Sequence, residues 1–197
     1  NIGNSSDERK ALIHNMWSNY GRILSEYMYL KQFRQNNLNQ FLKIDGLEVL
    51  NELKRKNDQV VFVSGHFNNF ELMAMQIEKA GINLSAVYRP LNNFFLNKTM
   101  ERLRKKYICK VQIKKGLSGI RDILKIIKNN YSVAMMIDQR VTEGSKINFF
   151  NKPAFTTTIP AQLVKKFNIP VIPVSIERIK DLNFKITINK PIYFSND

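Results

Sequence analysis

The stretch VVFVSGHFNNFELMA, residues 60–74, runs from four apolar residues through Ser64 and Gly65 to His66 and then, after four more residues, to Glu71. Its apolar start reads as a buried strand and its end as the first turns of a helix. The same alternation continues outward: strand 59–64, helix 69–80, strand 83–88, helix 92–106, strand 108–113, helix 117–129 and strand 132–137. After a loop holding NFFNKPAF, a helix from about Thr158 to Phe167 leads to strands 171–178 and 183–189, close enough to pair as a hairpin. Such alternation predicts an α/β fold, a mostly parallel central sheet flanked by helices.

Upstream, SSDE supplies a capping box from Ser5 to Glu8, and Leu12, Ile13, Met16, Trp17, Tyr20, Ile23, Leu24 and Tyr27 recur at threes and fours. This predicts a long amphipathic helix over residues 5–30, expected to pack its apolar face on the domain rather than on a membrane surface. His14 lies at its flank and receives no role. No internal repeat, low-complexity tract or long linker interrupts the 197 residues, so 1–197 is expected to be a single domain.

Hydrophobic residues make up 44% of the chain, enough for a sizeable core, while 31 Lys and Arg against 16 Asp and Glu give a formal net charge of +15. That balance favours an anionic partner, whether nucleic acid, a phospholipid surface or an acidic carrier protein, and does not choose among them. The single cysteine, Cys109, excludes an internal disulfide and a thiolate zinc cluster; it suits a reducing compartment and reads as a core filler. No apolar run approaches the ~20 residues that span a bilayer. The chain starts at Asn1 rather than Met, which leaves an upstream signal or anchor open.

In open α/β sheets, ligands sit beyond the carboxyl ends of the strands. The residues found there are Gly65 and His66, Arg89 and Pro90, and Asp138, Gln139 and Arg140. Parallel strands would bring them to one edge. His66, in a loop, can fold back onto Glu71 one turn into the next helix, forming a dyad in which the carboxylate fixes the tautomer and the other ring nitrogen takes a proton from a hydroxyl or thiol. A capped helix with a satisfied histidine is the plain alternative. Metal binding lacks ligands, the frame G-x-S-x-G is missing around Ser64, and SGHFNN has neither the glycines nor the lysine of a P-loop.

HFNNFE, joined to YRP, a later DQ and an FF-x-x-PA-x-TTT stretch, resembles the lysophospholipid acyltransferase superfamily. It is most similar to the lipid A late acyltransferases, the lauroyl and myristoyl transferase family that includes the phosphatidylinositol mannoside acyltransferases. The matching pieces extend from DERKALIHNMWSNYGRILSEY to FFNKPAFTTTIPAQLVKKFNIPVIPVSIER, most of the chain. The resemblance implies a glycerol-3-phosphate acyltransferase-like fold, His66 as general base and Glu71 as its orienting acid, with Arg89, Asp138 and Gln139 in the same pocket. It implies a glycolipid hydroxyl as acceptor, an acyl thioester on acyl carrier protein or CoA as donor, no cofactor and no metal. It also implies the cytoplasmic face of a bacterial inner membrane. Members usually carry an amino-terminal membrane-spanning helix and a carboxyl-terminal Trp- and Arg-rich segment, so these residues are expected to be one acyltransferase domain of a longer protein.

Within that frame, helix-start N–H groups near Asn68 and Asn69, or the Arg89 guanidinium, are candidates to hold the oxyanion; Arg89 suits a substrate phosphate equally well. Asp138 reads as a pocket orienter, a partner of a cation or a cap. Thr156, Thr157 and Thr158 with Pro160 cap the following helix, with a Thr157 hydroxyl contact to the acceptor as an extra. Lys98, Arg102, Arg104, Lys105 and Lys106, interleaved with Phe94, Phe95, Leu96 and Met100, form a basic amphipathic segment suited to an anionic membrane surface or an acidic carrier, or a solvated face over a core stripe. A nucleic-acid-binding module is the rival suggested by charge, but no RNP pattern, zinc finger or basic zipper is present, and no nucleic acid partner is expected. A non-catalytic lipid-binding relative is the second rival.

Overall fold

The structure, a computed structural model, describes residues 5–142 and 144–194. In chain order its elements are α1 (Ser6–Glu26), α2 (Leu30–Arg34), β1 (Leu42–Asp45), α3 (Leu47–Lys56), β2 (Val61–Ser64), α4 (Glu71–Lys79), β3 (Leu84–Tyr88) and α5 (Phe94–Leu103). There follow β4 (Val111–Lys114), α6 (Leu117–Lys128), β5 (Ser132–Met136), β6 (Ser145–Phe149), β7 (Lys152–Thr156), α7 (Ile159–Phe167), β8 (Val171–Lys180) and β9 (Asn183–Ile188). Seven strands form the central sheet in the order β1-β9-β8-β2-β5-β3-β4. The five from β8 to β4 are parallel; β9 turns back antiparallel on β8 as the expected hairpin, and β1 runs parallel to β9.

Both faces of the sheet are covered, which is why Val60 to Val63 are apolar without interruption. On one side Leu30 and Phe33 of α2, Leu50 and Leu53 of α3 and Leu72 and Met75 of α4 pack on Phe62, Ile172 and Phe184. On the other, Ile123 and Ile127 of α6 and Leu163 and Val164 of α7 meet Val61, Val63 and Val133. Cys109 is buried within the first layer, the core position expected of it.

Three features depart from the sequence reading. The β1–α3 unit precedes the first expected strand, entered through Gly46, whose φ of 88° and close approach to the Ile188 carbonyl admit no side chain. The segment expected as a loop folds into a two-stranded hairpin, β6–β7. The amino-terminal helix has its capping box, but α1 ends at Glu26 and a 3₁₀ turn over Tyr27–Tyr29 leads to α2. Its apolar face is not packed on the domain: Ile23 and Glu26 are buried, while Leu12, Ile13, Met16, Trp17, Tyr20 and Leu24 are exposed. The sheet faces it could have covered are already occupied by α2–α4 and by α6–α7. Among the described residues, no helix is long and apolar enough to cross a membrane.

Candidate active site

Strands β2 and β5 are parallel neighbours in the register Val61↔Val133 through Ser64↔Met136. Two residues beyond the last pair stand His66 and Asp138, which this register brings side by side. The His66 backbone N–H donates to Asp138 Oδ2 at 2.8 Å, and ring Nδ1 lies 2.8 Å from Oδ1. Burial works against the Asp138 charge, but the two bonds from His66 outweigh it and hold the carboxyl below its ordinary value. An ionised carboxylate can only accept, so Nδ1 carries a proton, and in the neutral ring Nε2 is the nitrogen with the lone pair. Gly65 keeps this corner open, because a Cβ there would lie 2.9 Å from the Phe67 ring and 3.3 Å from Asp138 Oδ2. The imidazole stands edge-on to Phe70, with ring centroids 5.0 Å apart.

Glu71, the first residue of α4, is buried and engaged elsewhere. Its Oε1 accepts from Arg104 Nε at 2.8 Å, from Arg104 Nη2 at 2.6 Å and from the Tyr27 hydroxyl. Burial, and then the charge of Glu71, push the Tyr27 phenol far above its ordinary value, so it remains a donor. Burial opposes the Arg104 charge, but Glu71 outweighs it and raises the guanidinium above its usual value. The contact expected between His66 and Glu71 is thus replaced by two constellations, imidazole on Asp138 and Glu71 on Arg104 and Tyr27.

Both constellations border one cavity of about 520 Å³, within the size range of small-molecule sites. Phe62, Met73, Ile77, Ala86 and Ile108 give it apolar walls, and His66, Glu71, Arg89, Gln139 and Thr157 supply polar groups. Five of the expected site residues therefore converge. Arg89 is exposed at the rim. Thr157 Oγ1 accepts from the Ile159 N–H at 3.4 Å as α7 begins. Asn68 and Asn69 turn their side chains away: Asn68 Nδ2 reaches the Ile176 carbonyl at 3.4 Å, and buried Asn69 donates to Glu26 Oε2 at 2.7 Å. What these two could offer a reacting oxygen is backbone N–H.

A family model for bacterial lipid A biosynthesis acyltransferases matches residues 3–197. The chain belongs to this family. Among curated proteins it is 21% identical over 173 residues to the lipid A biosynthesis myristoyltransferase of Escherichia coli, covering 86% of this chain and 52% of that protein. It has the same identity and coverage with lipid A biosynthesis acyltransferase 1 of Shigella flexneri. A SWIB domain-containing protein of Acanthamoeba polyphaga mimivirus is 26% identical over 146 residues, 74% of this chain and 42% of that protein. The chain spans about half the length of the curated relatives it matches.

In this member of the lipid A acyltransferase family, four residues that hold the HFNNFE segment receive no site role from the sequence: Glu26 and Arg178 go unnamed, Tyr27 reads as part of the amino-terminal apolar stripe and Arg104, which lines the cavity, as part of a basic face. Tyr27 and Arg104 hold Glu71; Glu26 and Arg178 form a buried ion pair, Oε1 to Nη1 at 2.7 Å, beside Asn69. Adjacent residues at the end of α1 therefore grip both Asn69 and Glu71 of the HFNNFE segment. A signal for them exists. Arg104 falls four residues after buried Met100 and four before buried Ile108, a charge on a core stripe rather than on the solvated basic face expected for it. Glu26 likewise falls between buried Ile23 and Leu30. A π-helical turn over Arg104–Ile108, closed by the Cys109 N–H on the Arg104 carbonyl at 3.0 Å, follows α5 at this point.

Proposed function

We propose that this chain transfers a fatty acyl group from a thioester, on acyl carrier protein or CoA, to a hydroxyl of a glycolipid such as a lipid A precursor. The observation that carries the reading is the His66 ring, anchored through Nδ1 to Asp138 at 2.8 Å and bordering an apolar-walled cavity. His66 Nε2 takes the proton of the acceptor hydroxyl as its oxygen attacks the thioester carbonyl. The tetrahedral oxyanion collapses, the C–S bond breaks, and the carrier thiolate leaves with the proton returned from the imidazolium. A positioned base of this kind contributes about 10²- to 10⁴-fold in rate.

Asp138 is the acid that orients the imidazole, and Glu71 holds the wall of the pocket through Arg104 and Tyr27. Arg89, the rim cation, either receives the oxyanion or binds a substrate phosphate; Gln139 and Thr157 contact the acceptor. The proposed chemistry uses the thioester as co-substrate and needs no cofactor. The exposed apolar face of α1 and the basic surface support attachment to the cytoplasmic face of a bacterial inner membrane.

The test is incubation of the purified protein with a donor labelled in its acyl chain, acylated acyl carrier protein or acyl-CoA, and a panel of sugar lipids. Transfer is expected to fall to near background in His66→Ala. Undiminished transfer by that variant would remove His66 from the mechanism.

A further inference from the structure

The β6–β7 hairpin stands apart from the seven-stranded sheet as a two-stranded sheet of its own. Every residue of β6 is exposed, as are Lys152, Pro153 and Phe155 of β7, while Ala154 and Thr156 are half-buried and Arg140 lies over the Phe155 ring, leaving a two-stranded ribbon that is largely uncovered. Such a ribbon is marginal in water. Its strands pair from Ser145↔Thr156 to Phe149↔Lys152, closing on a two-residue turn of Phe150 and Asn151 with φ of 48° and 61°. The first position of that turn favours Asn, Asp or Gly, and a bulky aromatic there is disfavoured. Phe150 gains no burial in return: it is 87% exposed and Phe149 64%, the two rings meeting edge to face at 4.6 Å. Ile147 is exposed behind them, and the segment SKINFFNKPAFT carries Lys146 and Lys152 but no acid.

The legs of this hairpin are anchored at the site. Val141 before β6 and Thr157 after β7 both line the His66 cavity, and five paired rungs carry the tip roughly 16 Å away at the rise of an extended strand. Two further elements that border the cavity carry exposed aromatics. Tyr20 of α1 lines it beside exposed Trp17, and Leu91 and Asn92 line it just before exposed Phe94 and Phe95.

We propose that the β6–β7 hairpin is a membrane-interface arm: Phe149 and Phe150 enter the boundary between headgroups and acyl chains while Lys146 and Lys152 meet anionic headgroups. This rests on the reading that the acceptor is a membrane lipid. Aromatic rings flanked by lysines are what that boundary accepts, and an arm rooted at the cavity rim that gains its cover from the lipid sets the height of the site over the membrane.

The test is flotation with phosphatidylethanolamine vesicles containing phosphatidylglycerol, with phosphatidylcholine vesicles as the neutral control. Phe149→Ser/Phe150→Ser is expected to lower partitioning by at least about tenfold, and Lys146→Glu/Lys152→Glu to weaken it for the anionic vesicles alone. Acyl transfer to acceptor dispersed in detergent should persist in both variants, while transfer to acceptor in vesicles falls. As a second readout, the indole of Phe150→Trp in a Trp17→Phe background should shift its emission to the blue and escape acrylamide when anionic vesicles are added. Wild-type partitioning by Phe149→Ser/Phe150→Ser overturns the proposal, as does an indole emission from the Phe150→Trp probe that vesicles leave unchanged. Loss of carrier-protein binding, or of self-association, with vesicle binding intact overturns it too. Vesicle binding that depends on the hairpin in a protein inactive with every donor would instead sink the acyl-transfer reading and leave the arm standing.

Discussion

Arg104 grips a single oxygen of Glu71, Oε1, through Nε at 2.8 Å and Nη2 at 2.6 Å, with the two side chains 13% and 7% exposed. A pair this deeply withdrawn from water is sensitive to loss of one partner. Arg104→Met should lower unfolding free energy by about 3–5 kcal/mol, because buried Glu71 loses its counter-ion. Glu71→Leu/Arg104→Met, which removes both charges, should cost distinctly less, since what remains is chiefly the Tyr27 hydroxyl left without an acceptor, about 1–3 kcal/mol. Urea titrations of the three proteins check this; equal losses for the single and double variants would show that a lone buried Glu71 carries no penalty beyond loss of the pair.

The contact between His66 Nδ1 and Asp138 makes a separable pair of predictions. In Asp138→Asn an amide can donate to Nδ1, moving the imidazole proton to Nε2 and disabling the proposed base, so kcat should fall about 10²- to 10⁴-fold with KM little changed. The stability effect follows from the depressed carboxyl. A group whose folded value lies below its unfolded one stabilises above the unfolded value, here near 3.8, and loses that contribution as pH falls through the folded value. The stability advantage of wild type over Asp138→Asn should therefore be full at neutral pH and shrink below about pH 4. An advantage unchanged down to acid pH would mean that the bonds from His66 do not favour the ionised carboxyl.

The strands and helices around the site were legible because their apolar runs and stripes are uninterrupted, and the ends of those runs named His66, Arg89 and Asp138. Which end faces which was not legible. β5 inserts between β2 and β3 although it follows both in the chain, and the offset that aligns Ser64 with Met136 puts Asp138, not the nearby Glu71, on the imidazole. Sequence proximity favoured the local partner; sheet order selected the distant one. The hairpin was hidden for a different reason: its turn places Phe150 where Asn or Gly is the usual signal. The exposed stripe of α1 was unreadable because periodicity reports that a helix has an apolar face, not what covers it.

Cys109 offers a probe of the core. Burial, and then the charge of Glu78, push its thiol up to about 12, and the S–H donates to the Leu84 carbonyl at 3.2 Å. Reaction with a disulfide reagent near pH 8 needs the thiolate, so the native protein should be inert for as long as it stays folded. Labelling rates across a urea series should then track global unfolding. Rapid stoichiometric labelling without denaturant would place Cys109 at an accessible surface instead.

Gly46 enters α3 at φ 88°, and a Cβ there would stand 2.0 Å from the Ile188 carbonyl oxygen. Gly46→Ala combines left-handed strain of about 1–3 kcal/mol with a backbone clash that no side-chain rotation relieves. It should destabilise by more than the strain alone, and by loosening β9 it should shift the urea midpoint without touching the cavity residues. Wild-type stability would mean that the β1–α3 turn sits farther from β9 than the structure has it.

Trp17 is the only tryptophan of the chain and stands 65% exposed on the unpacked face of α1. In buffer its emission should be that of a hydrated indole. Anionic vesicles should move it to the blue and lower its access to acrylamide, because Leu12, Ile13, Met16, Tyr20 and Leu24 on the same helix enter the interface with it. The electrostatic share of that binding comes from the surplus of 31 basic over 16 acidic side chains, so raising salt should weaken it. Leu12→Ser/Met16→Ser should reduce the spectral shift while leaving the fold intact, since both positions are exposed in the free protein. A Trp17 spectrum indifferent to vesicles would return the stripe to some other partner and detach α1 from the membrane reading.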